Sequence, residues 1–249
     1  MKKLKYLSLL MLTFLLLSAT IITAKQSNSK EVGKNLRLLE KKVFIHYKRD
    51  FIKPAALTCS GKKSINCYEF LGKNVKWKNL QINYVINPTN PYSLDKELLT
   101  NAIYAATEEW DNYTEEKLFG SYSIDYEATF DSDTPDGRNE IVFGDYPEEG
   151  VIGITVVWGY FTGPPWLREI VEFDILLDTD YVWGDATLDE QVMDLQNILT
   201  HELGHGLGLD DVYDIDCGEE TMYGYSQYGE IKKRTLNTGD ILGIQELYN

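Results

Sequence analysis

His201 and His205 stand four positions apart in the run Thr200-His201-Glu202-Leu203-Gly204-His205-Gly206-Leu207-Gly208-Leu209-Asp210-Asp211. On an α-helix, residues four apart lie one turn above each other, so both imidazoles face one point. Two such nitrogens around an intervening glutamate suit zinc, and Glu202 is placed to take a proton from water held on that ion. A catalytic zinc takes three protein ligands, so one more is needed. Gly206 and Gly208 are poor helix formers, and Gly208 suits a left-handed turn that returns the chain beneath the metal. Asp211 follows three residues later, with Asp210 as its near rival, and a carboxylate oxygen is an accepted zinc ligand. The third histidine of the chain, His46, lies far upstream in a weakly patterned region and is not expected at the metal. Two histidines on a helix with no chemistry are the opposing reading, and it leaves the carboxylate beside them unexplained.

The elements that must position these residues follow from periodicity. Val192, Leu195, Leu199 and Leu203 recur at helical spacing, which predicts a helix over Gln191 to Gly206. A second helix is expected from an N-cap at Ser93 to about Tyr113, with Leu98, Ile103, Ala106 and Trp110 on its inner face. A third is expected over Asp240–Tyr248, capped by Thr238 and carrying Asp240 in its first turn, where the dipole favours an acid. Leu80–Ile86 alternates and ends at Asn87-Pro88, as a strand does. Ser123–Ala128, Glu140–Phe143, Val151–Trp158 and Ile170–Leu177 read as four more strands, and Val43–Tyr47 as a short upstream one. Five strands and three helices imply an α/β or α+β sandwich.

The ends of the chain differ in charge. Residues 1–79 carry 17 Lys/Arg and 4 Asp/Glu, whereas residues 80–249 carry 7 and 35. An acidic body disfavours nucleic acid, since phosphate binding needs the opposite field. Met1–Lys5 is basic and Tyr6–Ala24 is uncharged and rich in leucine, the layout of a secretory signal over residues 1–24. The alternative is an uncleaved membrane anchor, because the apolar run is just long enough to span a bilayer. Both readings export the remainder, either secreted and extracellular or anchored with the catalytic part outside. The basic segment 25–65 is read as a pro-region drawn to the acidic body, or else as a solvated linker. The catalytic domain is then 66–249.

His201-Glu202-x-x-His205-x-x-Gly208-x-x-Asp211 resembles the extended zinc motif of the metzincin clan, with Asp in the place where most members have His. Thr221-Met222-Tyr223-Gly224-Tyr225-Ser226 resembles the Met-turn that floors the metal site of those enzymes. With the ending Leu236-Asn237-Thr238-Gly239-Asp240-Ile241-x-Gly243-Ile244-Gln245, the chain looks most like the matrixins, in particular their compact prokaryotic members. The similarity runs from about Cys67 to the C-terminus and is strongest from Asp194 onward. It implies a zincin-like fold, a twisted five-stranded, mostly parallel sheet with three helices. It also implies a zinc endopeptidase acting on polypeptide substrates, with Glu202 as base and His201, His205 and Asp211 on one catalytic zinc. A monomer is expected. Val151–Trp158, in particular Gly153, Ile154, Thr155 and Val156, is the implied edge along which substrate pairs; an ordinary core strand is the alternative. The contrasting function is an inactive zincin-like binding or surface protein with structural zinc, and Glu202 argues against it. Hydrolysis of a non-peptide amide is compatible with the same chemistry.

Other signals are weaker. Met222 is expected to be structural, since a thioether is a soft gap-filler. Tyr225 is read as a buried tyrosine, with assistance to the oxyanion as the rival role. Cys67 and Cys217 flank the catalytic unit and are the favoured disulfide in an oxidising compartment, leaving Cys59 over. Asp131–Gly137 invites Ca2+, which the resemblance allows, but it fails the EF-hand pattern and reads better as a solvated acidic turn. Lys232-Lys233-Arg234 reads as a solvated basic face.

Overall fold

A computed structural model describes residues 37–51 and 66–249. The signal expected at 1–24, Cys59 and the basic segment outside 37–51 lie beyond the described residues. In chain order the elements are β1 (Glu40–Lys48), β2 (Glu69–Phe70), β3 (Ile82–Ile86), α1 (Lys96–Asp111), β4 (Phe119–Ile124), β5 (Glu140–Gly144), β6 (Val151–Tyr160) and β7 (Glu169–Asp178). They continue with β8 (Trp183–Gly184), β9 (Met193–Asp194), α2 (Leu195–Leu207), β10 (Leu209–Asp210), β11 (Tyr225–Ser226) and α3 (Thr238–Tyr248). Among the described residues no helix is long and apolar enough to cross a membrane.

The expected five-stranded sheet is present as β6-β7-β5-β3-β4. Its pairs β7/β5, β5/β3 and β3/β4 are parallel, and β6 alone runs antiparallel to its neighbour β7. Two further strands extend it, in the order β11-β1-β6. β1 runs antiparallel to β6 and parallel to β11. The upstream segment is therefore part of the sheet, and β6 has strands on both sides. With β1 in place β6 is an inner strand and not the open edge expected.

Local chemistry shifts some boundaries. Asp95, not Ser93, caps α1 by accepting from the amides of Glu97 and Leu98, while Ser93 takes a positive φ of 55° in the preceding turn. The strand expected at 123–128 lies at 119–124. Its register on β3 (Ile82 with Phe119, Ile86 with Ile124) ends there, and Asp125 turns the chain by accepting from the amide of Glu127. α2 begins at Leu195, later than expected, because Asp194 caps it and Met193 is paired in β9. Asn237, one residue before Thr238, caps α3 in a reciprocal box with Asp240.

α2 is buried along nearly its whole length. Leu199, Leu203 and Leu207 join Ile103 and Trp110 of α1 and Phe173 and Ile175 of β7 in the main core. The Trp110 indole donates to the Thr200 carbonyl at 2.8 Å, which fixes the two helices in register just before His201. Burying such side chains contributes about 1.5–3 kcal/mol each, so α2 is anchored in the main core along the length that carries both histidines.

Candidate metal centre and cleft

α2 ends where the sequence led us to expect. Gly208 adopts φ +107°, and a Cβ there would meet the Val75 carbonyl at 2.7 Å, so the turn needs glycine on two counts. Beyond it the chain doubles back and brings Asp211 under the two imidazoles. Asp211 Oδ1 lies 3.3 Å from His201 Nε2 and 3.5 Å from His205 Nε2.

Each imidazole is oriented through its other nitrogen. His201 Nδ1 is 2.7 Å from the Thr221 carbonyl and His205 Nδ1 is 3.0 Å from the Leu209 carbonyl. A carbonyl only accepts, so Nδ1 carries the proton in both rings and Nε2 presents a lone pair. The Tyr213 hydroxyl donates to Asp211 Oδ2 at 2.9 Å, which leaves Oδ1 turned inward. His201 Nε2, His205 Nε2 and Asp211 Oδ1 are all buried without a hydrogen-bond partner. Three converging acceptors with no donor are costly unless a cation sits among them. Burial lowers His201 to about 4, which favours the neutral ligand form. Burial works against charge on Asp211 and His205 alike, but their mutual attraction overrides it, holding the carboxyl well below its usual range and raising the His205 imidazole. A positive charge is thus favoured beside the carboxylate, which zinc would supply with both imidazoles neutral. Two neutral nitrogens and one carboxylate oxygen fit zinc.

The floor is held from α3. Asp240 accepts from the amides of Thr221 and Met222 at 2.7 and 3.0 Å, fixing the turn whose Thr221 carbonyl orients His201. Met222 is fully buried, and its sulfur lies where a Cβ on Gly204 would come within 2.3 Å. Tyr225 is buried in an aromatic group with Tyr213 and Tyr223. Cys67 and Cys217 form a disulfide.

Glu202 is fully buried beside this centre, and burial raises it to about 7. Thr155 Oγ1 donates to its Oε2 at 2.6 Å, and a Cβ on Gly153 would approach its Oε1 to 3.1 Å. Two residues expected to pair with substrate thus also hold and accommodate the glutamate, while Ile154 and Val156 turn to the opposite face with Trp158.

The slot between β6 and β11 is filled by β1. Val43, Phe44, Ile45 and His46 lie opposite Val156, Thr155, Ile154 and Gly153, and Tyr47 and Lys48 lie opposite Tyr225 and Ser226. The Phe44 ring stacks on His205 at 3.9 Å, and the His46 ring lies over His201 at 4.0 Å. His46 Nδ1 reaches Glu202 Oε1 at 3.1 Å, and its Nε2 is 3.3 Å from Lys233 Nζ. Lys42 pairs with Asp210 at 2.6 Å and Arg49 with Glu230 at 3.5 Å. His46 was not expected here; its only signals were the alternation of Val43–Tyr47 and the scarcity of histidine. Lys233 corrects the reading of 232–234 as a solvated face, for it is fully buried, and Arg234 pairs with Asp185 and Asp194. Nothing in a basic run distinguishes its buried member. Tyr213 likewise carried no signal.

The acidic turn lies apart from this centre. Asp131, Asp136 and Glu140 bring carboxylate oxygens within 4.8 Å of one another, beside buried Asp174. Burial, and after it Glu172, pushes Asp174 up to about 9, and burial and Asp136 push Glu140 up to about 7.

The sequence model of the family Matrixin matches residues 76–249. Matrix metalloproteinase-16 of Rattus norvegicus and that of Mus musculus are each 28% identical over 199 residues, which covers 76% of this chain and 30% of theirs. The Homo sapiens protein of that name is 29% identical over 183 residues, or 70% of this chain and 27% of its own. The chain spans less than a third of the length of these curated relatives.

Proposed function

The chain belongs to the matrixin family of zinc metalloendopeptidases, and on that footing we propose that it is an exported peptidase, with Glu202 as general base and His201, His205 and Asp211 holding the zinc. The observation that carries the assignment is the convergence of three buried, unpartnered acceptors one residue away from a buried carboxylate. Zinc bound there supplies Lewis acidity, which acidifies water and draws charge from a peptide carbonyl. Glu202 takes the proton of the attacking water through Oε1 and delivers it to the departing amine nitrogen, while Thr155 holds Oε2. Tyr213 keeps Asp211 oriented, and Asp240 keeps the Thr221 carbonyl against His201. β6 and β11 offer main-chain pairing on both flanks of an extended peptide.

The same reading takes residues 1–24 as a secretory signal, 25–65 as a pro-region and 66–249 as the catalytic domain. The seating of β1 in the cleft favours a pro-region over a linker. Surface ion pairs such as Lys42 with Asp210 are worth about 0–1 kcal/mol each. Burial of Phe44 adds about 2–3 kcal/mol and each ladder hydrogen bond about 1 kcal/mol, so packing and pairing hold the strand while charge guides its approach.

The test is zinc content and casein cleavage of the wild-type chain and Glu202→Gln, each after proteolytic release of the N-terminal segment. Cleavage in the wild type, reduced about 100- to 10,000-fold in the variant with zinc retained, is expected. Equal activities would remove Glu202 as base, and a wild type without transition metal would remove the assignment.

A further inference from the structure

Catalysis as derived above makes no use of Lys233. Its side chain is fully buried in the short turn 232–234, while Lys232 and Arg234 on either side are partly exposed and pair with Glu219 and Asp185. Two acceptors face its ammonium, the Tyr223 carbonyl and His46 Nε2 at 3.3 Å. The carbonyl belongs to the wall of the cleft, but His46 arrives with β1. An ammonium can only donate, so His46 Nε2 accepts and the ring proton sits on Nδ1, facing Glu202. The occupant of this position is thus read from one side by Lys233.

We propose that Lys233 is a specificity-determining residue of the cleft, selecting peptides whose side chain at the position held by His46 ends in a hydrogen-bond acceptor. This rests on the reading of the cleft as a peptidase site. An aliphatic side chain there would strip water from Lys233 and leave the Tyr223 carbonyl as its one hydrogen-bond acceptor of the two, and a buried charge that loses a partner is penalised. A carboxylate would accept, but Glu202, Glu230 and Asp211 already act on the ammonium and would repel a further anion. The favoured side chains are therefore carboxamide and imidazole, over Leu or Met of similar size, by about 10- to 100-fold.

The experiment uses the full-length chain and follows amide hydrogen exchange of residues 43–47 as a measure of β1 seated in the cleft. With Lys233 in place, His46→Leu should exchange about 10- to 100-fold faster than His46→Gln. In a Lys233→Met background that difference should vanish or invert. Equal protection of the Gln and Leu variants with Lys233 present would overturn the proposal, as would a difference that survives Lys233→Met. If Lys233→Met fails to fold, equal protection of the Gln and Leu variants still overturns the proposal, and peptide selection supplies the positive test. A second arm follows a mixed peptide library after proteolytic release of the N-terminal segment, where Gln, Asn or His should be enriched over Leu and Met at one subsite. Exchange requires no turnover, so a chain that cuts no peptide would remove the peptidase reading while the exchange order judges Lys233 separately.

Discussion

His46 Nδ1 stands 3.1 Å from Glu202 Oε1, with both side chains shut off from solvent. Because Lys233 faces Nε2, the proton lies on Nδ1 and is donated to the glutamate. Thr155 already donates to Oε2. Both oxygens of the proposed base are therefore engaged while β1 is in place, and the His46 ring competes with water for Oε1.

The full-length chain should accordingly be latent. A strand tethered in the same chain competes at an effective concentration on the order of mM, above that of most free substrates. Limited trypsin treatment, for which the sequence between β1 and β2 offers Lys62 and Lys63 (Lys53 precedes Pro54 and resists the enzyme), should raise casein cleavage at least about 10-fold. His46→Ala should raise the activity of the intact chain in the same direction. Activity unchanged by both would remove the pro-region reading.

Tyr213→Phe should weaken zinc binding about 10- to 100-fold, as loss of a hydrogen bond that orients a ligand does elsewhere. Competition with a zinc chelator measures this, and Asp211 Oδ2 is the atom that loses its donor. An unchanged affinity would show that the backbone turn at Gly208 suffices to aim the carboxylate.

The proposed third ligand is an anion, which would leave less positive charge at the metal than a third imidazole and acidify water less. The acidic limb of kcat/KM should lie at higher pH in the wild type than in Asp211→His. Coincident or reversed profiles would count against Asp211 as a ligand.

Asp174 and Glu140 predict how stability varies with pH. Their carboxyls rise to about 9 and about 7 on folding, chiefly through burial. The folded chain then binds more protons than the unfolded one between the ordinary carboxylate range near 4 and about 9. Their contribution is intact below that window and is lost as pH rises through it. Thermal denaturation from pH 5 to 9 should show a falling Tm, and Asp174→Asn should flatten the fall, with a gain on the order of 5 °C at pH 9. A slope identical to that of the wild type would contradict the assignment.

The sequence made the chemistry of the centre readable wherever that chemistry is local. Helical spacing set His201 over His205, and the glycine turn reached Asp211 within a dozen residues. The core strands 82–86, 140–144, 151–160 and 169–178 also followed from their alternation or apolar runs. Contacts made at long range were not legible. Nothing in Val43–Tyr47 specifies which strand it joins, since pairing depends on the slot that β6 and β11 leave between them. A lysine in a run of three basic residues gives no sign of burial, because its environment is set by strands far away in sequence. The shift of β4 to 119–124 had the same origin, a parallel register imposed by β3.

The disulfide between Cys67 and Cys217 ties the start of the catalytic unit to the loop between Asp211 and Met222. That loop leads from the carboxylate of the metal centre to its methionine floor, so thiol oxidation and assembly of the centre are mechanically linked. In a reducing cytosol the loop is held only by its hydrogen bonds and packing, and the unlinked chain forfeits about 4–5 kcal/mol of cross-link stabilisation. The proposed export would carry the chain to where oxidants close this tie, and the rigidity of the centre would then be set by the compartment the chain reaches.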